Sequence, residues 1–340
     1  MKEHEATVSE LGERALIERI AARIGDAAAD ETWAGDETAA DETWAGDDAA
    51  VIVAPGKQVL FTTDVMIEGV DFDRAYSSGG DIGWKALTVN VSDIAAMAGR
   101  PTHAVVTLSL RPDCEVAFVD GILDGLLEAS RRWRVRLVGG DLSGADQIGI
   151  SAAVLGAPAG ERAVHRSGAG PGEALCVTGR LGGAAGGLIV LRRRLDRADD
   201  SIERLARRHL RPEARVDAGA ALAAAGATAM IDLSDGLAVD LGHLCRSSGV
   251  GCWIDPLAIP VDESLPALQE DALRLAIAGG EDFELLVALP HESVVAAATA
   301  VEATGVLLTR IGEVTDEGCW IGNDPLDRWE EQGWEHLRDR

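Results

Sequence analysis

Short apolar runs in this chain repeatedly lie beside a small residue or a hydroxyl followed by one or two carboxylates. Six such motifs are spread from end to end: Gly46-Asp47-Asp48, Thr62-Thr63-Asp64, Asn90-Val91-Ser92-Asp93, Gly139-Gly140-Asp141, Asp232-Leu233-Ser234-Asp235-Gly236 and Gly279-Gly280-Glu281-Asp282. Oxygen-rich clusters of this kind are typical of hard-cation sites shared with phosphates. Each motif alone is also compatible with an ordinary turn or cap. The question is whether the six motifs converge in space or are six ordinary turns.

Strand-like runs alternate with helical patterns in two successive halves. The predicted strands are 49–53, 59–62, 103–110, 135–138, 148–155, 174–178, 228–231, 250–254, 283–289 and 306–314, and the predicted helices are 10–24, 80–98, 114–133, 183–194, 213–225, 235–247 and 291–303. This order predicts an α/β or α+β fold in two domains, 1–156 and 157–340. A direct duplication, residues 30–36 recurring as 41–47, indicates an acidic insertion at about 26–46 that carries no chemistry.

Composition excludes several classes of partner. The formal charge of −26 over 340 residues is the opposite of a nucleic-acid-binding footprint and opposes binding to an anionic membrane. The five cysteines form no CxxC pair, and the N-terminus lacks an apolar signal core. We therefore expect a cytoplasmic protein with no membrane partner. Walker A, dinucleotide-binding and HExxH signatures are also missing from the sequence.

One predicted helix carries polar residues on a single face. In segment 80–98, Ala86, Asn90, Asp93 and Met97 fall at spacings of four, three and four. An amide and a carboxylate are costly to bury without partners, so this face is predicted to line a polar cleft. In the fifth motif, Ser234 and Asp235 are candidates either for a helix N-cap or for a cation site.

At this point the chain resembles a known family. The ordered set GDDAAV, TTDVMIEGVDF, WKALTVNVSDIAAMAGRP, GGD, HRSGAGPGE, VTGRLGGAAGGL, RHLRPEAR, AMIDLSDGLAVDLGHL and GGEDFELL is similar to that of the thiamine-monophosphate kinases, in the superfamily of aminoimidazole ribonucleotide synthetase. The resemblance implies an N-terminal mixed sheet that pairs across a homodimer into a β-barrel, and a C-terminal α/β sandwich. It also implies ATP-dependent phosphorylation of thiamine monophosphate with several Mg²⁺ ions. No general base is expected, because the acceptor is already an anionic phosphate oxygen.

The resemblance also implies roles for individual residues. The Mg²⁺ ligands would be Asp48, Thr62, Thr63, Asp64, Asp93, Asp141, Asp232 and Asp235; the ATP contacts would be Gly140, Asp141, Arg166 and Ser234; and the substrate contacts would be Asp71, Glu281 and either Trp329 or Trp334. Arg166 would offer a guanidinium fork to phosphate oxygens, although a surface arginine is the plainer interpretation. For the two tryptophans, stacking on thiamine and ordinary packing remain equally open.

One residue departs from the family pattern. Asp71 stands where the family commonly has His, and an ionised carboxylate cannot donate to a phosphate. Either it contacts the aminopyrimidine or a metal-bound water, or substrate affinity is altered; Asp71→His is predicted to retain activity. The alternatives are an aminoimidazole ribonucleotide synthetase-like or selenophosphate synthetase-like enzyme, or a non-catalytic cation-binding relative. No cysteine precedes Cys114, which disfavours the selenophosphate enzyme.

Overall fold

The computed structural model describes residues 59–333, together with Thr7, Arg19, Ala22 and Arg23. The chain forms two compact units, the first comprising Met1–Ile94 and Pro101–Ala157 and the second Ala95–Arg100 and Pro158–Arg340. The predicted strand 49–53, the duplicated acidic segment, Asp48 and Trp334 lie outside the described residues, as does most of the predicted helix 10–24. None of the described helices is long and apolar enough to cross a membrane.

The first unit contains a four-stranded sheet and two long helices. Its elements are β1 (Leu60–Ile67), α1 (Gly79–Ala96), β2 (Gly99–Leu110), α2 (Val116–Trp133), β3 (Arg136–Gly144) and β4 (Gly149–Pro158). The strand order is β1-β4-β2-β3; β1 and β4 are antiparallel, and β2 and β3 are parallel. The last residues of α1 and the first of β2 belong to the second unit.

Glycines allow α1 and α2 to cross at close range. A Cβ on Gly83 would lie 2.0 Å from the carbonyl oxygen of Ile122, so only glycine fits this contact. Beside the crossing, the rings of Trp84 and Trp133 pack with centroids 6.3 Å apart, and the Trp133 indole donates to Thr88 Oγ1 at 3.1 Å. The two helices are thereby locked together, which fixes the position of the polar residues on α1.

The second unit is built on a seven-stranded sheet. Its elements are β5 (Ala174–Thr178), α3 (Gly183–Arg193), α4 (Asp200–Leu210), α5 (Val216–Ala224), β6 (Ala229–Asp232), α6 (Leu237–Ser248), β7 (Gly251–Ile254), α7 (Ala272–Ala278), β8 (Leu285–Leu289), α8 (Val294–Glu302), β9 (Leu308–Thr315), β10 (Cys319–Ile321), β11 (Asp324–Pro325) and α9 (Asp327–Glu330). The strand order is β11-β10-β7-β9-β5-β8-β6. Only the β10–β7 pair is parallel among the described pairs of this sheet.

Helices cover both faces of this sheet, because successive strand residues point to opposite sides. Along β5, Leu175 and Val177 join the core formed with α6, whereas Ala174 and Cys176 join the core formed with α5 and α8. All five residues of β5 are buried. A strand that is apolar on both sides therefore lies at the centre, and the polar motifs are left to the strand ends.

Most predicted elements are present, with shifted bounds. Segment 80–98 is helical over Gly79–Ala96, and the predicted strand 59–62 extends to Ile67. Helix α4 was missed, although Ile202, Leu205 and His209 fall at helical spacing on its buried side. Its N-cap, Asp199, accepts hydrogen bonds from the next turn, which is the start signal that the sequence offered.

Candidate functional site

The second and third acidic motifs meet where strand β1 lies beside helix α1. The Thr62 hydroxyl donates to Asp93 Oδ2 at 2.5 Å. Two residues along the strand, the backbone N–H of Asp64 donates to Asn90 Oδ1 at 2.9 Å. Strand residues two apart share a face, so Thr62 and Asp64 both lie toward the helix. The result is a compact group of oxygen donors assembled from two predicted motifs.

Asn90 is a structural link and does not line a polar cleft, so that prediction is wrong for this residue. Its side chain is fully buried. The amide nitrogen donates to the Ala86 carbonyl at 3.0 Å while the amide oxygen accepts from Asp64. Hydrogen bonds from the amide nitrogen and to the amide oxygen offset the cost of burying this side chain, which is why the sequence argument failed here. Asp93, by contrast, is half-buried.

Thr63 lies on the opposite face of β1 from Thr62. Its hydroxyl donates to the Ala152 carbonyl at 3.0 Å and lies 3.4 Å from Ser151 Oγ, both on β4. The same face of β1 carries the exposed side chains of Phe61 and Val65. The structure therefore separates the Thr63 hydroxyl from the Thr62–Asp93 pair, and its role as a cation ligand stays a prediction.

Asp71 closes the tight loop that follows β1. Its carboxylate accepts the backbone N–H of Ile67 at 2.8 Å, and the Asp71 N–H donates to the Ile67 carbonyl at 3.0 Å. These two hydrogen bonds give the Asp71 carboxylate a structural role in closing the turn. Asp71 is half-buried, and its predicted contact with substrate remains a prediction.

The Gly139-Gly140-Asp141 motif lies within β3, directly after a bulge at which Val138 has no register partner on β2. A Cβ on Gly140 would lie 1.8 Å from the Val106 carbonyl, so the backbone approach itself requires glycine. Asp141 is exposed and pairs in register with Thr107. A close-packed glycine beside an exposed carboxylate fits the predicted phosphate and cation roles, and it also meets a purely structural demand.

In the second unit, backbone hydrogen bonds join the fifth and sixth motifs. Glu281 N–H donates to the Ser234 carbonyl at 2.7 Å, Phe283 N–H to the Leu233 carbonyl at 2.9 Å, and Leu233 N–H to the Glu284 carbonyl at 2.8 Å. Asp232 is buried at the end of β6, whereas Ser234 and Asp235 are half-buried. Two motifs that lie far apart in sequence thus form one oxygen-rich loop pair.

Asp240 organises this loop pair and was missed in the sequence. Its carboxylate accepts three backbone N–H groups, from Ser234, Asp235 and Gly236, at 3.1, 3.2 and 3.1 Å. Burial, together with the charges of Asp232 and Asp235, raises its pKa well above the ordinary value. Neither Ser234 nor Asp235 is the N-cap of α6, since Gly236 takes that position without a side-chain bond. The sequence signal that could have identified Asp240 is its position one turn into helix α6.

Glu281 has a strained backbone and a buried histidine as neighbour. Its φ is +69°, and Phe283 follows at +50°, both in the left-handed region that non-glycine residues rarely adopt. Such strain costs about 1–3 kcal/mol per residue and tends to occur at functional sites. The Glu281 carboxylate lies 3.0 Å from Nδ1 of His209, on helix α4. The predicted substrate contact is therefore held at a defined position.

The two carboxylates that follow Glu281 are buried and serve the scaffold. Asp282 accepts the N–H groups of Gly182 at 2.6 Å and Ala184 at 3.0 Å, at the start of α3. Burial raises the pKa of Asp282 to about 7, although these N–H groups act in the opposite direction.

Glu284 is fully buried and forms a two-bond ion pair with Arg215, at 2.6 and 2.5 Å. Burial opposes ionisation of Glu284, but the charges of Arg215 and Arg208 outweigh it and lower its pKa.

Two further predicted contacts have different surroundings. The side chain of Arg166 is exposed and lies near His243. The pKa of His243 is lowered by burial and by the positive charges of Arg246 and Arg166.

Trp329 packs against the apolar core around α6, and its indole nitrogen is buried with no hydrogen-bond partner among the described residues. This packing supports the structural interpretation of Trp329, while its contact with substrate stays a prediction.

The donor chemistry of both units fits a hard cation. Thr62, Asp64, Asp93 and Asp141 in the first unit, and Asp232 and Asp235 in the second, offer only oxygen atoms. Carboxylate and hydroxyl oxygens suit Mg²⁺, which favours a few carboxylates together with phosphate oxygens. The buried Asp240 has two negative neighbours, and a divalent cation at Asp232 and Asp235 would relieve their repulsion.

Comparison with known proteins gives first the class and then the family. The sequence pattern of the AIR synthase related protein, N-terminal domain, matches residues 46–157, and that of the C-terminal domain matches residues 170–319. The fold and the site are thus those of a two-domain protein of the AIR synthase related class.

Individual relatives narrow this class. Thiamine-monophosphate kinase of Escherichia coli K12 is 36% identical over 338 residues, covering 96% of this chain and 98% of the relative. The crystal structure of thiamine-monophosphate kinase from Stenotrophomonas maltophilia K279a has a TM-score of 0.80 at 32% identity, covering 95% of this chain and 99% of that one. AaThiL complexed with AMPPCP and TMP has a TM-score of 0.76 at 33% identity, with 98% and 99% covered. This chain belongs to the thiamine-monophosphate kinase family. The predicted family and two-domain α/β fold are thereby confirmed.

Proposed function

We propose that this protein transfers the γ-phosphate of ATP to thiamine monophosphate, giving thiamine diphosphate. The observation that carries the proposal is the near full-length relationship to proteins of that name, together with a relative bound to an ATP analogue and TMP. The acidic motifs supply the chemistry, since both units present oxygen donors for Mg²⁺. The cytoplasmic location and the domain bounds at 156 and 157 belong to the same proposal.

The residues act by positioning and by neutralising charge. When bound, Mg²⁺ would neutralise phosphate oxygens, and the residues that would hold it are Asp48, Thr62, Thr63, Asp64, Asp93, Asp141, Asp232 and Asp235. Gly140, Ser234 and Arg166 would hold ATP, and Asp71, Glu281 and Trp329 or Trp334 would contact thiamine monophosphate. In-line transfer to a phosphate oxygen needs no base, so orientation and electrostatics account for the rate.

Several side-chain contacts of the scaffold support this arrangement. The hydrogen bond from Thr62 fixes the Asp93 carboxylate, and the three N–H groups bound by Asp240 shape the loop of Ser234 and Asp235. The Glu281 carboxylate lies 3.0 Å from Nδ1 of His209. Preformed donors of this kind avoid reorganisation during the reaction, which is where enzymes gain most of their electrostatic stabilisation.

The direct test is an assay of the full chain with ATP, Mg²⁺ and thiamine monophosphate, read by chromatography of thiamine diphosphate. We expect product that depends on all three components. Folded protein that forms no thiamine diphosphate would overturn the proposal.

A variant at the β1–α1 junction tests the role of the carboxylate group. Asp93→Asn keeps the size of the side chain but removes its charge, and we expect turnover to fall on the order of 10²–10³-fold. The melting temperature should change little, because Asp93 is half-buried and the amide oxygen still accepts from Thr62. Asp113→Asn, at an exposed loop carboxylate, is the matched control. Equal turnover in Asp93→Asn and the control would remove Asp93 from the site.

A further inference from the structure

Three cysteines that are scattered in the sequence converge in the second unit. Cys245 lies on α6, Cys252 on β7 and Cys319 on β10, and their sulfur atoms all lie within 4.8 Å of one another. Within the part of the chain that the structure describes, this is the one group of three or more His, Cys, Asp or Glu side chains whose ligand atoms meet so closely. The spacing of the cysteines in the sequence gave no sign of it.

The fold explains why the three sulfurs meet. Strands β7 and β10 are parallel neighbours, and Cys252 is the register partner of Cys319. Side chains that are paired in this way project to the same face of the sheet. Helix α6 packs on that face and brings Cys245, in its last turn, against the pair. Three separate elements therefore fix the cluster before any ligand binds.

The cluster is distinct from the acidic loops at the other end of the same helix. Cys245 follows Gly236, at the start of α6, by nine residues. At a rise of about 1.5 Å per residue, the two ends are roughly 14 Å apart. The phosphoryl-transfer proposal uses the residues at the start of α6 and in the loop before it, and it does not use the cysteines.

The spacing fits metal coordination. Metal–thiolate bonds of about 2.3 Å place adjacent sulfurs roughly 3.8–4.0 Å apart, for tetrahedral or trigonal geometry. A group already within 4.8 Å needs to contract by less than about 1 Å to reach this range. A disulfide would use only two of the three sulfurs and requires a separation of about 2.05 Å. Three converging sulfurs are therefore better suited to a shared ion.

The surroundings of the three cysteine sulfurs favour a soft metal ion. Cys245 and Cys252 are buried among aliphatic side chains of the α6 core, whereas Cys319 is half-buried. Thiolate ligands favour Zn²⁺ and Cu⁺ over the hard ions that suit carboxylates. Cu⁺ is satisfied by three sulfurs, while Zn²⁺ would take a fourth ligand such as water on the open side of Cys319.

We propose that Cys245, Cys252 and Cys319 form a three-thiolate site for a thiophilic d10 metal ion, Zn²⁺ or Cu⁺. Binding converts three thiols into thiolates bonded to the ion, so three protons leave as one ion enters. No electrons are transferred. The ion would crosslink α6, β7 and β10 and so stabilise this edge of the sheet, because the folded chain, which brings the three sulfurs together, binds it more tightly than the unfolded chain.

The test uses the full chain, reduced, stripped with a chelator and kept free of oxygen. Zn²⁺ is titrated against a chromophoric chelator, and Cu⁺ against bathocuproine disulfonate. Co²⁺ serves as a third probe, since thiolate ligation produces a charge-transfer band in the near ultraviolet. We expect one equivalent of Zn²⁺ or Cu⁺ per chain, a Co²⁺ band, and a rise in melting temperature on loading. Comparison of the Zn²⁺ and Cu⁺ titrations shows which of the two ions binds more tightly and is therefore the ion of this site.

Cys319→Ser is the variant of choice, because its side chain is only half-buried and the substitution disturbs little packing. We expect at least a hundredfold loss of affinity and loss of the Co²⁺ band. Cys114→Ser, at a buried cysteine of the first unit, should bind as the unsubstituted chain does. Stoichiometric uptake that is unchanged in Cys319→Ser would overturn the proposal, and so would the absence of uptake in all three arms.

A second readout does not depend on a variant. In the unsubstituted chain, bound metal should slow alkylation of Cys319 by iodoacetamide at least tenfold, as measured by peptide mass spectrometry, and should leave Cys114 unchanged. Equal alkylation of Cys319 with and without saturating metal would contradict the assignment, even if Cys319→Ser failed to fold.

Discussion

At the scale of single residues, the buried acids define the scaffold more sharply than the exposed ones. Asp240, Asp282 and Glu284 each lie within or beside a predicted acidic motif, yet each serves backbone or arginine partners. A sequence shows that a carboxylate is present but not which atoms surround it. The motif positions were therefore predictable, whereas the division between scaffold and ligand carboxylates within a motif was not.

Asp282 should make stability depend on pH. Its pKa is raised to about 7 in the folded state by burial, against about 3.9 when unfolded. An acid whose folded pKa is raised contributes stability that is complete below pH 4 and is lost as the pH rises toward 7. At 1.36 kcal/mol per pH unit, the loss is up to about 4 kcal/mol.

The measurement compares denaturant unfolding of the unsubstituted chain with that of Asp282→Asn, from pH 4.5 to 8. Because asparagine does not titrate, the stability of the unsubstituted chain relative to the variant should fall across this window. A difference that stays constant with pH would show that Asp282 is ionised throughout.

Arg215 should be essential for folding stability. It forms both bonds to the fully buried Glu284, which also accepts the Thr178 hydroxyl at 2.8 Å. Arg215→Met keeps the aliphatic stem but removes the guanidinium group that pairs with the buried charge of Glu284. We expect a loss of about 3–5 kcal/mol in the free energy of unfolding. The double variant Arg215→Met with Glu284→Leu should recover part of the loss, as chemical denaturation would reveal. Additive losses in the double variant would argue against the ion pair.

At the scale of elements, local sequence patterns predicted that a helix or strand is present better than they predicted which elements pack against it. The β5 strand was predicted with its observed bounds because it is apolar up to its last residue, Thr178, and is bounded by turns. Asn90 was placed wrongly because its partner, the Asp64 backbone, comes from a strand that the helix pattern does not contain. The same limit applies to His209, on the missed helix α4, and to the cysteine cluster. Contacts between elements need the fold.

The crossing of α1 and α2 offers a test at this scale. A methyl group on Gly83 would meet the backbone of Ile122 at 2.0 Å, and backbone atoms cannot move aside as a flexible side chain can. We expect Gly83→Ala to destabilise the protein by about 1–3 kcal/mol, the usual cost of overpacking, despite alanine's higher helix propensity. Gly160→Ala, in an open loop with no atom within 4 Å, is the matched control. Thermal melts of the two variants should separate clearly.

At the scale of the whole molecule, the charge of −26 opposes the binding of anionic nucleotides. Divalent cations held by the acidic motifs, as proposed above, would neutralise both the carboxylates and the incoming phosphates. Activity should for this reason depend steeply on free Mg²⁺. This need for cations could be predicted from the sequence, because the net charge and the composition of the motifs do not depend on coordinates.

The exposed face of the first sheet bears on the predicted homodimer. Phe61 and Val65 on β1 are 69% and 56% exposed, whereas Leu60 and Met66 on the other face of that strand are buried; Val105 on β2 is 41% exposed. Apolar side chains grouped on one sheet face favour association with another surface. A second copy of the chain is the partner that the family resemblance implies.

Disruption of this face tests the predicted homodimer. We expect the unsubstituted chain to sediment at twice its mass of 35.6 kDa, and Phe61→Glu to weaken self-association at least tenfold by placing a charge in the interface. Leu257→Glu, at a side chain 93% exposed in the second unit, controls for the added charge and should leave association unchanged. Sedimentation equilibrium over a range of concentrations measures both. If Phe61→Glu associates as tightly as the control, this sheet face is not the interface, and Phe61 must be exposed for another reason.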